Sequence, residues 1–145
     1  MGILCPCGVS VNAFSKRNHV ELKGKCGTIT GDLTYLADVC ITTLGKSTLS
    51  LKFVDNECPS KNDFLFTANA ITSVVCQKEK LGCSVTVRGT GIVNGKQYPF
   101  TAVFKDHVFP GHDSVRSFVI IGFFDQNGAV FVPQGSITAI GCQTL

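Results

Sequence analysis

Apolar and polar residues alternate with period two along most of the chain, in short runs rich in Val, Ile, Thr and Phe that glycines punctuate at nearly even intervals. Alternation of this kind sends successive side chains to opposite faces, so each run predicts a strand with one buried face and one wet face. The predicted strands fall at about 9–14, 19–22, 27–39 with a bend near Gly31, 47–54, 64–76 with a break near Asn69, 83–93, 96–105, 115–124, 129–132 and 136–142. No stretch keeps the helical period over the roughly ten residues that a helix needs. Many short strands joined by turn residues indicate a β-sandwich or barrel, and the fold expected is an all-β, antiparallel β-sandwich of jelly-roll or Ig-like type. The organisation expected is an extended N-terminal arm over residues 1–18 and a sandwich domain over 19–145.

One hairpin is legible residue by residue. In "CSVTVRGTGIVNGKQYPFTAVFK" the dipeptide Asn94-Gly95 separates two alternating runs, the signature of a two-residue type I′ turn. Pairing Val93 with Lys96 then sets Gly91 against Tyr98, Gly89 against Phe100, Val87 against Ala102 and Val85 against Phe104 on the apolar face, with aromatic rings over the glycines. The wet face pairs Arg88 with Thr101 and Ser84 with Lys105. Pro99 falls opposite Thr90 and lacks an N–H, which marks an edge or a bulge on that side. Asn127-Gly128 is a second turn signal, following the apolar run "SFVIIGFF", whose weak alternation predicts burial on both faces.

Composition narrows the class. Charged residues make up 16% of the 145, against a typical share of about 25%. The surface is therefore expected to be rich in Ser, Thr, Gly and Asn, as in proteins that pack against copies of themselves. Lys and Arg exceed Asp and Glu by 13 to 10 with no basic run, too small an excess for a nucleic-acid partner. No segment approaches the ~18 apolar residues of a membrane span, and the first residues lack the basic and apolar regions of a secretion signal. A mature chain, or export by a route such as cell lysis, is the expectation.

The segments "GDLTYLADV", "LSLKFVD", "ANAITSVVC", "GTGIVNGKQYPFTAVFKD" and "DSVRSFVIIGFFDQNGAVF", from about Gly31 to Ile140, resemble in their order the post-COAP-type β-sandwich domains of prokaryotic surface proteins. The cysteines and the N-terminal arm depart from that pattern. A cysteine-bearing arm ahead of an all-β body, without a signal peptide, is similar in layout to endospore appendage fibre subunits. That resemblance implies arms that reach into neighbouring subunits and are fixed there by disulfides.

Eight cysteines in a chain with a core of this size are not needed for folding, and an even number scattered along the sequence suits an oxidising setting. Cys5 and Cys7 flank Pro6. A bond between residues two apart is strained, the proline keeps the arm extended, and extended neighbours two apart separated by a rigid residue reach for different partners. Three outcomes remain open: bonds to a neighbouring subunit, bonds to the protein's own body, or a metal site, with the intersubunit bond taken as the leading reading. Cys76 and Cys83 bracket the polar "QKEKLG" and are candidates for an intrasubunit bridge across that hairpin, leaving Cys26, Cys40, Cys58 and Cys142 as further disulfide partners. No C-x2-C pair points to zinc, and no cofactor or catalytic residue is assigned. "KDHVFPGHDS" gathers Asp106, His107, His112 and Asp113 about a Pro-Gly turn. Such a group can bind a ligand or metal, although polar residues around a turn are also ordinary.

The reading that follows is a non-enzymatic, self-assembling subunit of an extracellular or spore- or cell-surface filament. Its partners are copies of itself, with neither nucleic acid nor membrane insertion. The alternative is a monomeric, disulfide-stabilised extracellular binding module carrying ligand on loops such as 105–115 or 55–63.

Overall fold

The computed structural model describes residues 5–24, 27–56, 62–108 and 110–142. Strands β1 (Gly8–Leu22), β2 (Ile29–Cys40), β3 (Thr48–Asp55), β4 (Phe64–Glu79), β5 (Gly82–Val93), β6 (Lys96–His107), β7 (Asp113–Ile120) and β8 (Phe124–Asp125) follow one another as an antiparallel meander. β8 returns to β1 through Glu21↔Asp125 and Leu22↔Phe124, closing an eight-stranded barrel. A short 3-10 segment, Ile41–Lys46, links β2 to β3. β9 (Val130–Val132) pairs with the start of β7, and β10 (Ile137–Ile140) with the start of β1.

This closure overturns the expected sandwich, including the one that the resemblance to post-COAP-type domains implied. Sandwich and meander barrel share the same alternation, since both leave one face of each strand wet. Curvature distinguishes them. β1 shifts register between Ser15 and Asn18, with Arg17 at φ 55°, and β4 shifts between Ala68 and Ala70 and again between Ile71 and Ser73. Bulges of this kind bend and further twist a strand, which lets the meander roll until its first and last members meet. The breaks expected at Asn69 and between residues 14 and 19 are these bulges, inside continuous strands. Of residues 1–18, expected as an arm, residues 8–18 belong to β1, which pairs with β2.

The β5–β6 hairpin has the register read from the sequence, from Val93↔Lys96 through Val85↔Phe104 to Ser84↔Lys105. Asn94 and Gly95 both have positive φ, 51° and 79°, as a type I′ turn requires. Pro99 lies where the β6–β7 ladder ends, and its carbonyl accepts the Ile121 N–H at 2.8 Å. The ring above Gly91 is Phe66 of β4, rather than the hairpin's own Tyr98. A side chain at Gly91 would collide with it, as one at Gly31 would with Phe53.

Large side chains fill the barrel. Leu33, Tyr35, Leu51, Phe53, Phe66, Phe100, Phe104 and Phe118 are each at most 1% exposed, so the interior that can hold a small ligand in other eight-stranded barrels is packed solid here. Phe66 meets Phe100 edge-on with ring centroids 5.3 Å apart, and Phe118 lies 6.0 Å from both Phe66 and Tyr35. The Tyr35 hydroxyl donates to Gln126 Oε1 at 2.7 Å, and the Gln126 amide donates to the carbonyls of Val115 and Gly128. This buried chain satisfies the polar groups where the last strand is interrupted between β8 and β9. Burial pushes the Tyr35 hydroxyl pKa up.

Candidate functional site

The starts of β1, β3, β5 and β7 and the ends of β2, β4, β6 and β10 converge on one end of the barrel. The three disulfides of the described residues lie here. Cys5 bonds Cys40 at the end of β2, Cys7 bonds Cys76 on β4, and Cys83 bonds Cys142 beyond β10, with Cα separations of 5.8, 5.8 and 5.7 Å. Cys5 and Cys7 thus bond two different cysteines on either side of Pro6, but both partners belong to the same chain. Within this single chain Cys5 and Cys7 pair with the protein's own body, one of the three outcomes left open for them. Backbone contacts guide the segment: the Cys7 carbonyl accepts the Ile41 N–H at 2.9 Å. Gly141, at φ 117°, leaves room for the Pro6 carbonyl and the Cys76 sulfur, where a Cβ would intrude.

The expected bridge between Cys76 and Cys83 does not form. β4 and β5 continue to Glu79↔Gly82, a tight turn that sets Lys78 opposite Cys83 and Val85 opposite Cys76. The two cysteines are therefore staggered along the hairpin, and each finds a closer partner elsewhere. Cys26 and Cys58 lie outside the described residues.

The loop containing Asp106, His107, His112 and Asp113 has a structural chemistry of its own. Asp113, fully buried, accepts the His107 N–H on one oxygen and the Gly135 and Ile137 N–H groups on the other, each at 2.9 Å. Asp106 accepts the Ala139 N–H at 2.8 Å. Two carboxylates thus do for β10 what a neighbouring strand would do, since each satisfies backbone donors that would otherwise be buried unpaired. Burial pushes the Asp106 pKa up, the Ala139 N–H opposes this, and the negative charge of Asp113 adds to it. His107 Nδ1 contacts the Val108 carbonyl at 2.9 Å, and His112 is exposed. Among the described residues, no group of three or more His, Cys, Asp or Glu side chains is placed to hold a metal ion.

Beside this clamp, on the outer face, lies a groove of about 540 Å³ between the β4–β5 turn, the β6–β7 connection and β9. Glu79 anchors it. Lys105 Nζ donates to its carboxylate at 2.6 Å, the Arg116 guanidinium contacts both oxygens at 2.7 Å, and the Ser84 hydroxyl adds a bond at 3.1 Å. The hydrogen bond from Lys105 is the main reason that the Glu79 pKa falls from 4.5 to about 2; partial burial opposes it, and Arg116 and Ser84 reinforce it. Arg116 owes its position to a bulge. Val103 pairs with Ser117 and Phe104 with Val115, leaving Arg116 as the extra residue on β7.

Sequence reasoning found the loop of Asp106 to Asp113 but missed Glu79, Lys80, Lys105, Arg116 and Phe131 as a group. One signal was present. In "AVFVP", inward Val130 and Val132 force Phe131 outward, so a large aromatic must stand on the wet face. No protein-family model matches the chain, nor does any curated protein or solved structure.

Proposed function

We propose that the chain acts as a monomeric, disulfide-stabilised extracellular binding module that presents its ligand site on the outer face at the disulfide-bonded end. The observation that carries this reading is the in-chain pairing of Cys5 with Cys40 and of Cys7 with Cys76. Two further features support it. The packed interior directs any ligand to the outer surface, and a polar groove at Glu79, Lys105 and Arg116 opens there at the disulfide-bonded end. Three disulfides fit an oxidising compartment; an extracellular site is the specific version proposed.

The filament reading needs Cys5 and Cys7 free to reach a neighbour, and it needs a strand-like arm. Both sulfurs are bonded within the chain and residues 8–18 belong to β1, so that reading lacks the support it drew from them. The test is electrophoresis without reductant, combined with light scattering and mass mapping of disulfide-linked peptides. A single 15.5 kDa species with Cys5–Cys40 and Cys7–Cys76 linkages is the expected result. A ladder of covalent multimers that collapses on reduction would return the filament and overturn the monomeric module.

A further inference from the structure

The groove at Glu79 has a particular chemistry. Its floor follows from register: across the outer face, Phe131 of β9 lies opposite Ser114 of β7, Ser114 opposite Lys105 of β6, and Lys105 opposite Ser84 of β5. With strands about 4.8 Å apart, the Phe131 ring stands two strands from the Lys105 ammonium. Phe131 is 70% exposed, the most exposed large hydrophobic among the described residues, and Leu81, 50% exposed, faces the same groove from the β4–β5 turn.

Charge at the groove is strongly one-sided. Lys80, Lys105 and Arg116 face one carboxylate, Glu79, which leaves a surplus of two positive charges with the histidines neutral. The whole chain carries a surplus of three on the same convention. Glu79 fixes one edge of the Arg116 guanidinium through two of its five N–H donors and leaves the others available. Lys80 and His112, both exposed, line the same groove.

We propose that this groove binds an anionic saccharide, a pyranose bearing a carboxylate or a sulfate ester. One sugar face stacks on Phe131, and the anionic group is held by Arg116, Lys80 and His112. The occupant follows from the combination. A single flat ring in the same groove as a set of cations suits an oligosaccharide that offers an apolar sugar face to the ring and an anionic substituent to the cations. The volume falls in the roughly 300–1,000 Å³ range of small-ligand sites. Single-stranded nucleic acid stacks successive bases on several rings along a basic track; among the described residues Phe131 is the one phenyl ring that lines this groove, and a surplus of three charges over the whole chain makes no such track. A peptide adding as a strand requires an open edge, whereas the groove floor is built of paired strands.

The inference rests on the monomeric binding-module reading and is tested on chain first verified as a monomer without reductant, so that a covalent ladder sinks that reading and a failed titration sinks only this one. The titrants are an oligogalacturonate, a sulfated glycosaminoglycan oligosaccharide, neutral maltohexaose and inorganic sulfate, followed by calorimetry and by amide shifts at Ser114 and Phe131. Binding of either anionic oligosaccharide, weakening with added salt and absent for maltohexaose, supports the proposal, and the preferred one identifies carboxylate or sulfate as the anion. Phe131→Ala should weaken it roughly fivefold and Lys80→Ala roughly threefold, with thermal midpoints unchanged because both side chains are exposed. The proposal is overturned if neither oligosaccharide binds, if both variants bind as the parent does, or if inorganic sulfate binds as tightly as the sugars.

Discussion

The two ends of the barrel are held by different physics. At the end where β1 begins, three disulfides, two buried carboxylates and one ionic cluster gather chain segments far apart in sequence. At the opposite end, Phe64 packs on Phe53, Phe123 and Phe124 with centroids 5.0–5.7 Å apart, and Tyr98 packs on Phe123. The aromatic end gains stability in the native state by removing apolar surface from water. The disulfide end gains it largely by restricting the unfolded chain. The difference teaches why the second mechanism is used where it is. The disulfide end carries a cysteine-bearing segment, a C-terminal strand and a charged groove, and polar irregular backbone cannot be secured by apolar burial alone.

Removing the covalent links tests this division most severely. The three bonds span 35, 69 and 59 residues, and chain-entropy arguments assign each about 4 kcal/mol, with less than additive effect where the loops overlap. Full reduction should therefore produce the largest loss of stability, and paired Cys7→Ser and Cys76→Ser about a third of it, read by chemical denaturation. Hydrogen exchange sharpens the point. Amides of Ile137 and Ala139 should lose protection before those of Phe53 and Phe66; equal loss at both ends would refute the division.

Phe64→Ala probes the other end and should cost about 3–5 kcal/mol through lost burial and the cavity left behind, whether or not the disulfides are intact. A much larger cost in the reduced protein would show that the ends are coupled. Asp113→Asn is smaller in scope. It removes the charge from a carboxylate that accepts three backbone N–H groups, and a loss of about 2–3 kcal/mol is expected, with exchange accelerated at Gly135 and Ile137.

The smallest effect concerns pH. The Glu79 pKa is lower in the fold, about 2 against 4.5, so its contribution is fully present above pH 4.5 and is lost as the pH falls through about 2. Asp106 has the opposite sign. Its folded pKa is raised, so the fold binds the proton more strongly than the unfolded chain does, and stability declines as the pH rises from 3.8 through the raised value. Glu79→Gln should flatten the acid limb of a stability–pH curve and leave the Asp106 limb intact. An acid limb unchanged in Glu79→Gln would remove the ionic cluster from the account of that end.

Much of the fold was legible before any coordinates. The β5–β6 register followed from Asn94-Gly95, because a two-residue turn and strict alternation leave only one pairing. The candidate site was legible only in fragments. Phe131 could be placed outward by its valine neighbours, whereas Arg116 could not, since a bulge in β7 shifts it out of the alternating pattern. Asp106 and Asp113 invited a chemical reading because the sequence does not show that the N–H groups of Gly135, Ile137 and Ala139 turn toward them.

Local information thus sufficed for the strands, the turns and the faces, since each depends on residues within about a dozen positions of one another. Tertiary structure alone decided that the sheet closes on itself and which cysteines meet. Closure depends on twist summed over eight strands and several bulges, and disulfide choice depends on Cα positions that only the closed barrel brings within 6 Å.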